Sequence, residues 1–251
     1  MYTTPWITAL FSPTGGTAAV ARGITGGNDA VVDLSVPVAP QVIPSDRVLL
    51  AAAPVFGGRI PALTLERLTA LQGNGPAVAL VVYGNRAYED ALLEWKTALE
   101  ARGFRVIAAA ACIAQHSIAP AVAAGRPDDA DLALAAQFGG QVLEKAALPL
   151  EAQTSVSVPG NPDYKPFPGM PVHPQADHRC VRCGLCAARC PAGAIPTGDP
   201  STTVADRCIT CMRCVTICPA HARALPTQAA EATAQRLAQI AGQPRQPEFY
   251  L

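Results

Sequence analysis

The sequence predicts an α/β protein: a five-stranded parallel sheet with helices on both faces, followed by a small α+β domain rich in cysteine. Two observations carry this. Five short apolar runs alternate with helical segments over the first 150 residues, and eight of the nine cysteines crowd between Cys180 and Cys218. Continuous apolar runs, rather than apolar–polar alternation, are what strands buried on both faces require. Strands separated by helices join into a parallel sheet through right-handed crossovers.

The elements are expected in this order. Residues 6–11 form a first strand ending at Ser12, Pro13, Thr14, Gly15, Gly16 and Thr17, and a helix of small residues covers 17–24. Further strands are expected at 31–34, 47–53, 77–83 and 104–113. Pro61 suits the first turn of a helix over 61–71. A helix over 88–102 ends before Gly103, a residue well placed in a C-cap. Asp128, Asp129 and Asp131 favour the positive end of a last helix over 128–144. Six prolines between Pro159 and Pro174 exclude regular structure, and Tyr164 and Phe167 there imply a segment that wraps rather than floats. A helix is expected over 229–241. The division is therefore an α/β domain at 1–150, a Pro-rich linker at 151–176, the cysteine domain at 177–226, and a helix and tail at 227–251.

Composition narrows the function. Half of the chain is hydrophobic but only 5% is aromatic, so the core is built from small aliphatics. A formal net charge of zero gives no reason to expect nucleic acid as a partner. The absence of an apolar run of about 18 residues argues against a membrane span. The N-terminal stretch has no basic segment before its apolar run, so a cytoplasmic location is expected. Dense cysteines in a cytosolic chain bind metal more often than they form disulfides.

The cysteines fall into two runs. Cys180, Cys183, Cys186 and Cys190 precede Pro191; Cys208, Cys211, Cys214 and Cys218 precede Pro219. Each position of the second run lies 28 residues after its counterpart (208 − 180), and Arg179 and Arg207 precede the two runs. In such a C-x2-C-x2-C-x3-C-P run, three cysteines wrap one iron–sulfur cluster and the fourth ligates the other. One [4Fe–4S] cluster is then expected on Cys180, Cys183, Cys186 and Cys218, and a second on Cys208, Cys211, Cys214 and Cys190. Zinc sites use paired C-x2-C units without a third cysteine at that spacing, and disulfides across it are strained. The segment resembles the two-cluster bacterial ferredoxins. Cys112, in the fifth expected strand, reads as a buried core residue without a role. Met212, inside the second run, reads as packing over the cluster.

The loop after the first strand offers hydroxyls and backbone N–H groups at a helix N-terminus, a setting for a phosphate. No lysine follows its glycines, which excludes a P-loop nucleotide triphosphatase, and the G-x-G-x-x-G spacing of NAD sites is absent. The string resembles the flavodoxin phosphate loop, and the resemblance implies that Ser12, Thr14, Gly15, Gly16 and Thr17 contact the phosphate of FMN. Two further loops resemble those that sandwich the flavin ring: Pro54, Val55, Phe56, Gly57, Gly58 and Arg59 after the third strand, and Gly84, Asn85, Arg86 and Tyr88 after the fourth. Phe56 or Tyr88 is expected to stack on the ring, with the glycines and Asn85 letting backbone approach its edge. The sheet order implied is 2-1-3-4-5.

The whole chain thus resembles the flavodoxin–ferredoxin fusions called ferrodoxins. That resemblance implies an electron-transfer protein moving electrons between FMN and two [4Fe–4S] clusters, serving a redox partner protein or a small acceptor. An electron carrier is expected more than a flavin-dependent oxidoreductase. The alternatives are an iron–sulfur redox sensor and a docking protein whose flavodoxin-like domain holds nothing. Arg59 and Arg86 depart from the acidic surroundings usual in flavodoxins and are expected to tune the flavin if they reach it. His116 and Ser117 end the fifth strand on the same edge, and a solvated or capping role is expected for the histidine.

Overall fold

A computed structural model describes residues 5–251; the first four residues, where the N-terminal stretch discussed above begins, lie outside it. In chain order the elements are β1 (Trp6–Leu10), α1 (Gly16–Thr25), β2 (Asp29–Asp33), β3 (Gln41–Val42), β4 (Val48–Pro54), α2 (Ala62–Leu68), β5 (Leu71–Gln72), β6 (Pro76–Tyr83), α3 (Ala91–Glu100) and β7 (Arg105–Ile113). Then come α4 (Asp129–Ala146), β8 (Gln175–Ala176), α5 (Leu185–Ala188), α6 (Arg213–Thr216), β9 (Arg223–Ala224), α7 (Thr227–Ala241) and β10 (Glu248–Tyr250).

The main sheet runs β10-β7-β6-β4-β1-β2. Its β2, β1, β4, β6 and β7 are all parallel, so the five long strands follow the order 2-1-3-4-5. This is the flavodoxin-like doubly wound arrangement, whose strand order reverses between β1 and β4. A crevice opens there, beyond the carboxyl ends of the strands.

The central strands β4, β6 and β7 are buried on both faces, as their continuous apolar runs require, whereas the edge strand β2 is largely exposed. Along β4, Leu49, Ala51 and Ala53 face one core while Val48, Leu50 and Ala52 face the other. The first core packs against α2 and α3 through Leu68, Leu92, Trp95 and Leu99. The second packs against α1 and α4 through Val20, Ile24, Phe138 and Val142. A bulge between β6 and β7 places Ile107 and Ala108 consecutively on the second face. Small residues let the helices close in: a Cβ on Gly139 of α4 would collide with the Ile24 carbonyl of α1. Asp128 caps α4 in a reciprocal capping box with Asp131. Cys112 is buried, and desolvation pushes its thiol up to about 12, so it is an inert core residue.

Two expectations need correction. The helix expected over 61–71 stops at Leu68, because Leu71–Gln72 instead pairs with Gln41–Val42 as a small parallel ladder that buries Leu71. The tail is also a strand: β10 pairs antiparallel with β7, making the sheet six-stranded. Three residues are too short to show a period. What holds them is ring packing of Phe249 on Phe138, centroids 4.8 Å apart, and a polar knot at Tyr250.

The Pro-rich segment is strapped along the α/β domain. Val156 N–H donates to the Val106 carbonyl and Asn161 N–H to Asp90 Oδ1, both at 2.9 Å. Gly160 leaves room only for Leu93. Among the described residues no helix is long and apolar enough to cross a membrane.

Candidate functional site

The crevice at the strand-order reversal has a volume of about 660 Å³, within the range of small-molecule sites. Of the phosphate-loop residues, Thr14, Gly16 and Thr17 line it, together with Pro13. Gly16 approaches so closely that a Cβ there would lie 2.8 Å from the Ala114 methyl. Ser12 and Gly15 do not line it. Ser12 Oγ accepts the Ala18 N–H at 3.0 Å, which satisfies an orphan donor of α1. Gly15 turns the chain into the helix in a left-handed conformation.

On the second loop Pro54, Val55, Phe56 and Gly57 line the crevice. The ring of Phe167 lies directly against Gly57, which has a φ of 58°, so any side chain there would be displaced. Gly58 instead faces the Glu89 carboxylate. Arg59 is a clear correction: its guanidinium is engaged elsewhere. Nε and Nη2 form a two-pronged pair with the buried Glu94, Nη1 donates to the Lys165 carbonyl at 2.7 Å, and the group stacks 4.9 Å from the Tyr164 ring. It straps the linker to α3, and its pKa is raised chiefly by the Glu94 bond.

On the third loop Gly84 and Arg86 line the crevice, Arg86 paired with Glu89 at 2.6 Å. Asn85 does not. Its buried amide donates to the Ala241 and Gln243 carbonyls at 2.6 and 2.9 Å and accepts the Arg245 N–H at 3.1 Å, clamping the segment after α7. Tyr88 is likewise withdrawn. Its ring meets Tyr83 edge-on and its hydroxyl bonds Glu248 and Tyr250 at 2.7 and 3.0 Å, which leaves Phe56 as the aromatic of these loops on the crevice.

The remaining walls come from segments outside the three loops. His116 and Ser117 after β7 line the crevice, as do Phe167, Met170 and Pro171 of the linker, Ile209, Thr210 and Cys211 of the second cysteine run, and Thr233, Arg236, Leu237 and Ile240 around α7. The signal for α7 was indirect: an amphipathic helix beyond a small cysteine domain needs a surface to cover. His116 is not simply solvated. Its Nδ1 accepts the N–H groups of Ile118 and Ala119, both at 3.2 Å, and its ring edge rests on Gly84. An acceptor Nδ1 leaves the ring proton on Nε2. Desolvation, helped by Arg86, holds its pKa below the usual value and keeps the ring neutral.

The cysteines gather in the crossed sets. Cys190, Cys208, Cys211 and Cys214 line one small cavity; Cys180, Cys183, Cys186 and Cys218 line another. The sequence repeat is a backbone repeat. Positive φ recurs at pairs 28 residues apart: Arg182 and Thr210, Gly184 and Met212, Gly193 and His221. Cys190 and Cys218 each accept a backbone N–H, from Ala194 and Ala222, at 3.3 Å. Met212 is buried at a left-handed position where the first run has Gly184. Among the described residues no group of three or more Cys, His, Asp or Glu converges tightly enough for a single ion. Thiols that flank a multi-iron cluster stand farther apart than the ligands of one ion. Burial pushes the Cys211 and Cys214 thiols up to about 12 and 11, so ligation there must displace protons against that desolvation. One further observation fits a negative group beside these cages: Arg223, 2% exposed, has a buried Nε with no hydrogen-bond partner.

Two arginines tie the cysteine domain to the α/β domain. Arg213 of α6 donates to the Ser12 and Pro13 carbonyls and to Ser35 Oγ. Arg67 at the end of α2 donates to the Pro191 carbonyl at 2.6 Å and the Leu34 carbonyl at 2.7 Å.

The family model of the 4Fe-4S dicluster domain matches residues 179–225. No curated protein matches the sequence. Among solved structures, a flavodoxin from the domain Archaea is similar at 16% identity over 56% of this chain and 97% of its own, with a TM-score of 0.38. Megasphaera elsdenii flavodoxin, in its two-electron reduced solution structure, is similar at 20% identity over 52% and 97%, with a TM-score of 0.36. Streptococcus pneumoniae TIGR4 flavodoxin is similar at 14% identity over 56% and 97%, also at 0.36. The fold class rests on the strand order and pairing described above.

Proposed function

We propose that this chain, a flavodoxin-like domain joined to a 4Fe-4S dicluster domain, is an electron-transfer protein that holds FMN in the crevice and one [4Fe–4S] cluster in each cysteine cage. The observation that carries the reading is Cys211, which lines both the crevice and the cage of Cys190, Cys208 and Cys214. FMN exchanges electrons singly or in pairs and a cluster exchanges them singly, so the pair converts two-electron into one-electron chemistry.

The chain's own residues divide the work. Thr14, Thr17 and the N-terminus of α1 hold the phosphate with hydroxyls and backbone N–H groups. Phe56 and Gly57 form one wall of the ring site. Phe167, Met170 and α7 cover it from water. His116 holds a proton on Nε2 and presents it as a donor, and Arg86 adds positive charge. Ile209, Thr210 and Cys211 are the wall shared with the nearer cage. The other cage meets solvent at Cys183, which is exposed beside Val181, 70% exposed, and is where a partner protein reaches the electrons.

The test is anaerobic reconstitution of the full chain with iron, sulfide and FMN, counting each per chain, with the Thr14→Val/Thr17→Val variant beside it. The reading expects eight irons and one FMN per chain. It also expects the double variant to lose flavin at full iron content, since each hydrogen bond to a charged group is worth about 1.5–3 kcal/mol. Full iron with no retained flavin in the parent chain would overturn the crevice assignment.

A further inference from the structure

Arg223, on β9, is buried, and a guanidinium cannot shed its proton to suit a dry site. Its fork is spent on neutral groups. Nη1 donates to Thr203 Oγ1 at 2.8 Å and to the Pro174 carbonyl at 3.3 Å; Nη2 donates to the Pro200 and Thr202 carbonyls at 2.8 and 2.7 Å. Nε is buried without a partner, and among the described residues no carboxylate pairs with the group. A buried cation with no counter-charge is strongly disfavoured.

Its neighbours supply the missing sign. Arg223 lines the cage of Cys180, Cys183, Cys186 and Cys218, and two of the residues it bonds, Thr203 and Pro174, line the other cage. A cluster with its four thiolates carries net negative charge. The repeat also makes the position singular: the counterpart 28 residues earlier (223 − 28) is Ile195, buried and apolar. Arg182 lines the first cage alone and Arg213 the second alone, so Arg223 is the buried cation placed between the two.

We propose that Arg223 is the shared counter-ion of the two clusters, favouring their assembly and holding both midpoint potentials up. This rests on the reading of both cages as [4Fe–4S] sites. Reduction adds one electron to a cluster with no proton to accompany it, and a fixed positive charge in a water-poor site stabilises the added negative charge. The neutral backbone bonds hold the guanidinium in place whether or not a cluster is reduced.

The experiment compares Arg223→Met and Arg223→Lys in the full, anaerobically reconstituted chain. Iron and sulfide per chain and thermal unfolding are measured first, then the midpoint potential of each cluster by mediated titration with a low-potential reductant, followed by electron paramagnetic resonance. Both variants lose the fork to four oxygens, so a purely structural role predicts equal effects. The proposal expects both clusters to shift to lower potential with Met and to return most of the way with Lys. If Met fails to load while Lys loads, the charge requirement stands. Equal shifts in the two variants, no shift with Met, a shift in one cluster alone, or loss of iron from both variants would each overturn it. The iron count of the parent chain tests the two-cluster reading separately.

Discussion

Arg213 Nη2 donates to the carbonyl oxygen of Ser12 at 3.0 Å, binding the helix that follows Cys211 to the loop that opens α1. The same guanidinium reaches the Pro13 carbonyl at 3.3 Å and Ser35 Oγ at 2.8 Å. The crevice is thus completed by docking: its α1-loop end and its Cys211 wall are held by one side chain. Replacing Arg213 by Ala should weaken FMN retention by about 2 kcal/mol, roughly thirtyfold, and speed proteolysis between residues 157 and 174, with iron content unchanged. Gel filtration followed by flavin quantitation checks the first; retention equal to the parent chain would show that docking does not complete the site.

The crossed cages make a sharp statement about Cys190. Its alteration to Ala should damage the cluster held by Cys208, Cys211 and Cys214, while Cys218→Ala should damage the one held by Cys180, Cys183 and Cys186. Reduction of the crevice ligand should then fail to reach the remaining cluster quickly in the first variant but not in the second, since Cys211 belongs to the nearer cage. Site-resolved spectroscopy of both variants decides it; loss of the cage nearest in sequence would sink the assignment.

His116 offers a donor on Nε2 and an acceptor on Nδ1, and two substitutions separate them. Asn keeps an acceptor near the Ile118 and Ala119 N–H groups but cannot reach into the crevice. Gln reaches but gives up the loop bonds. Binding of FMN should fall about tenfold in His116→Asn and stay close to parent in His116→Gln. Fluorescence titration reads both, and the reverse ranking would mean that the ring only shapes the loop.

The two loop arginines should behave differently. Arg86 lines the crevice, so Arg86→Ala should lower the flavin midpoint potential, because a nearby cation favours the anionic reduced ring. Arg59→Ala should leave that potential alone and destabilise the fold by about 3 kcal/mol, because it strands the buried Glu94 carboxylate. Glu94 would keep its bond from the Ile60 N–H at 2.8 Å, which limits the loss. Spectroelectrochemistry and chemical denaturation separate the two effects, and a potential shift in Arg59→Ala would contradict the geometry.

Local chemistry was enough to read the five long strands, the polar loop that opens α1 and the cysteine runs. A doubly buried strand needs an apolar run, a phosphate needs hydroxyls at a helix start, and a cluster needs thiols at set spacing. Those constraints act over a few residues, so the eight cysteines and the hydroxyls of Thr14 and Thr17 stand out in the sequence, whereas Phe56 or Tyr88 is expected only from the resemblance to flavodoxin loops. The tertiary structure decided which neighbours these residues meet. Arg59 and Asn85 stand beside crevice residues in sequence, yet Glu94 and the segment after α7 draw them away. His116, Phe167, Cys211 and α7 arrive at the crevice from four separate segments of the chain, brought by the sheet edge and by Arg213 rather than by any local pattern. The two cysteine runs share one spacing, and that spacing does not say which of them faces the crevice. The docking of α6 on the loop after β1 and of Pro191 on Arg67 turns one cage toward the crevice and leaves Cys183 of the other at the surface.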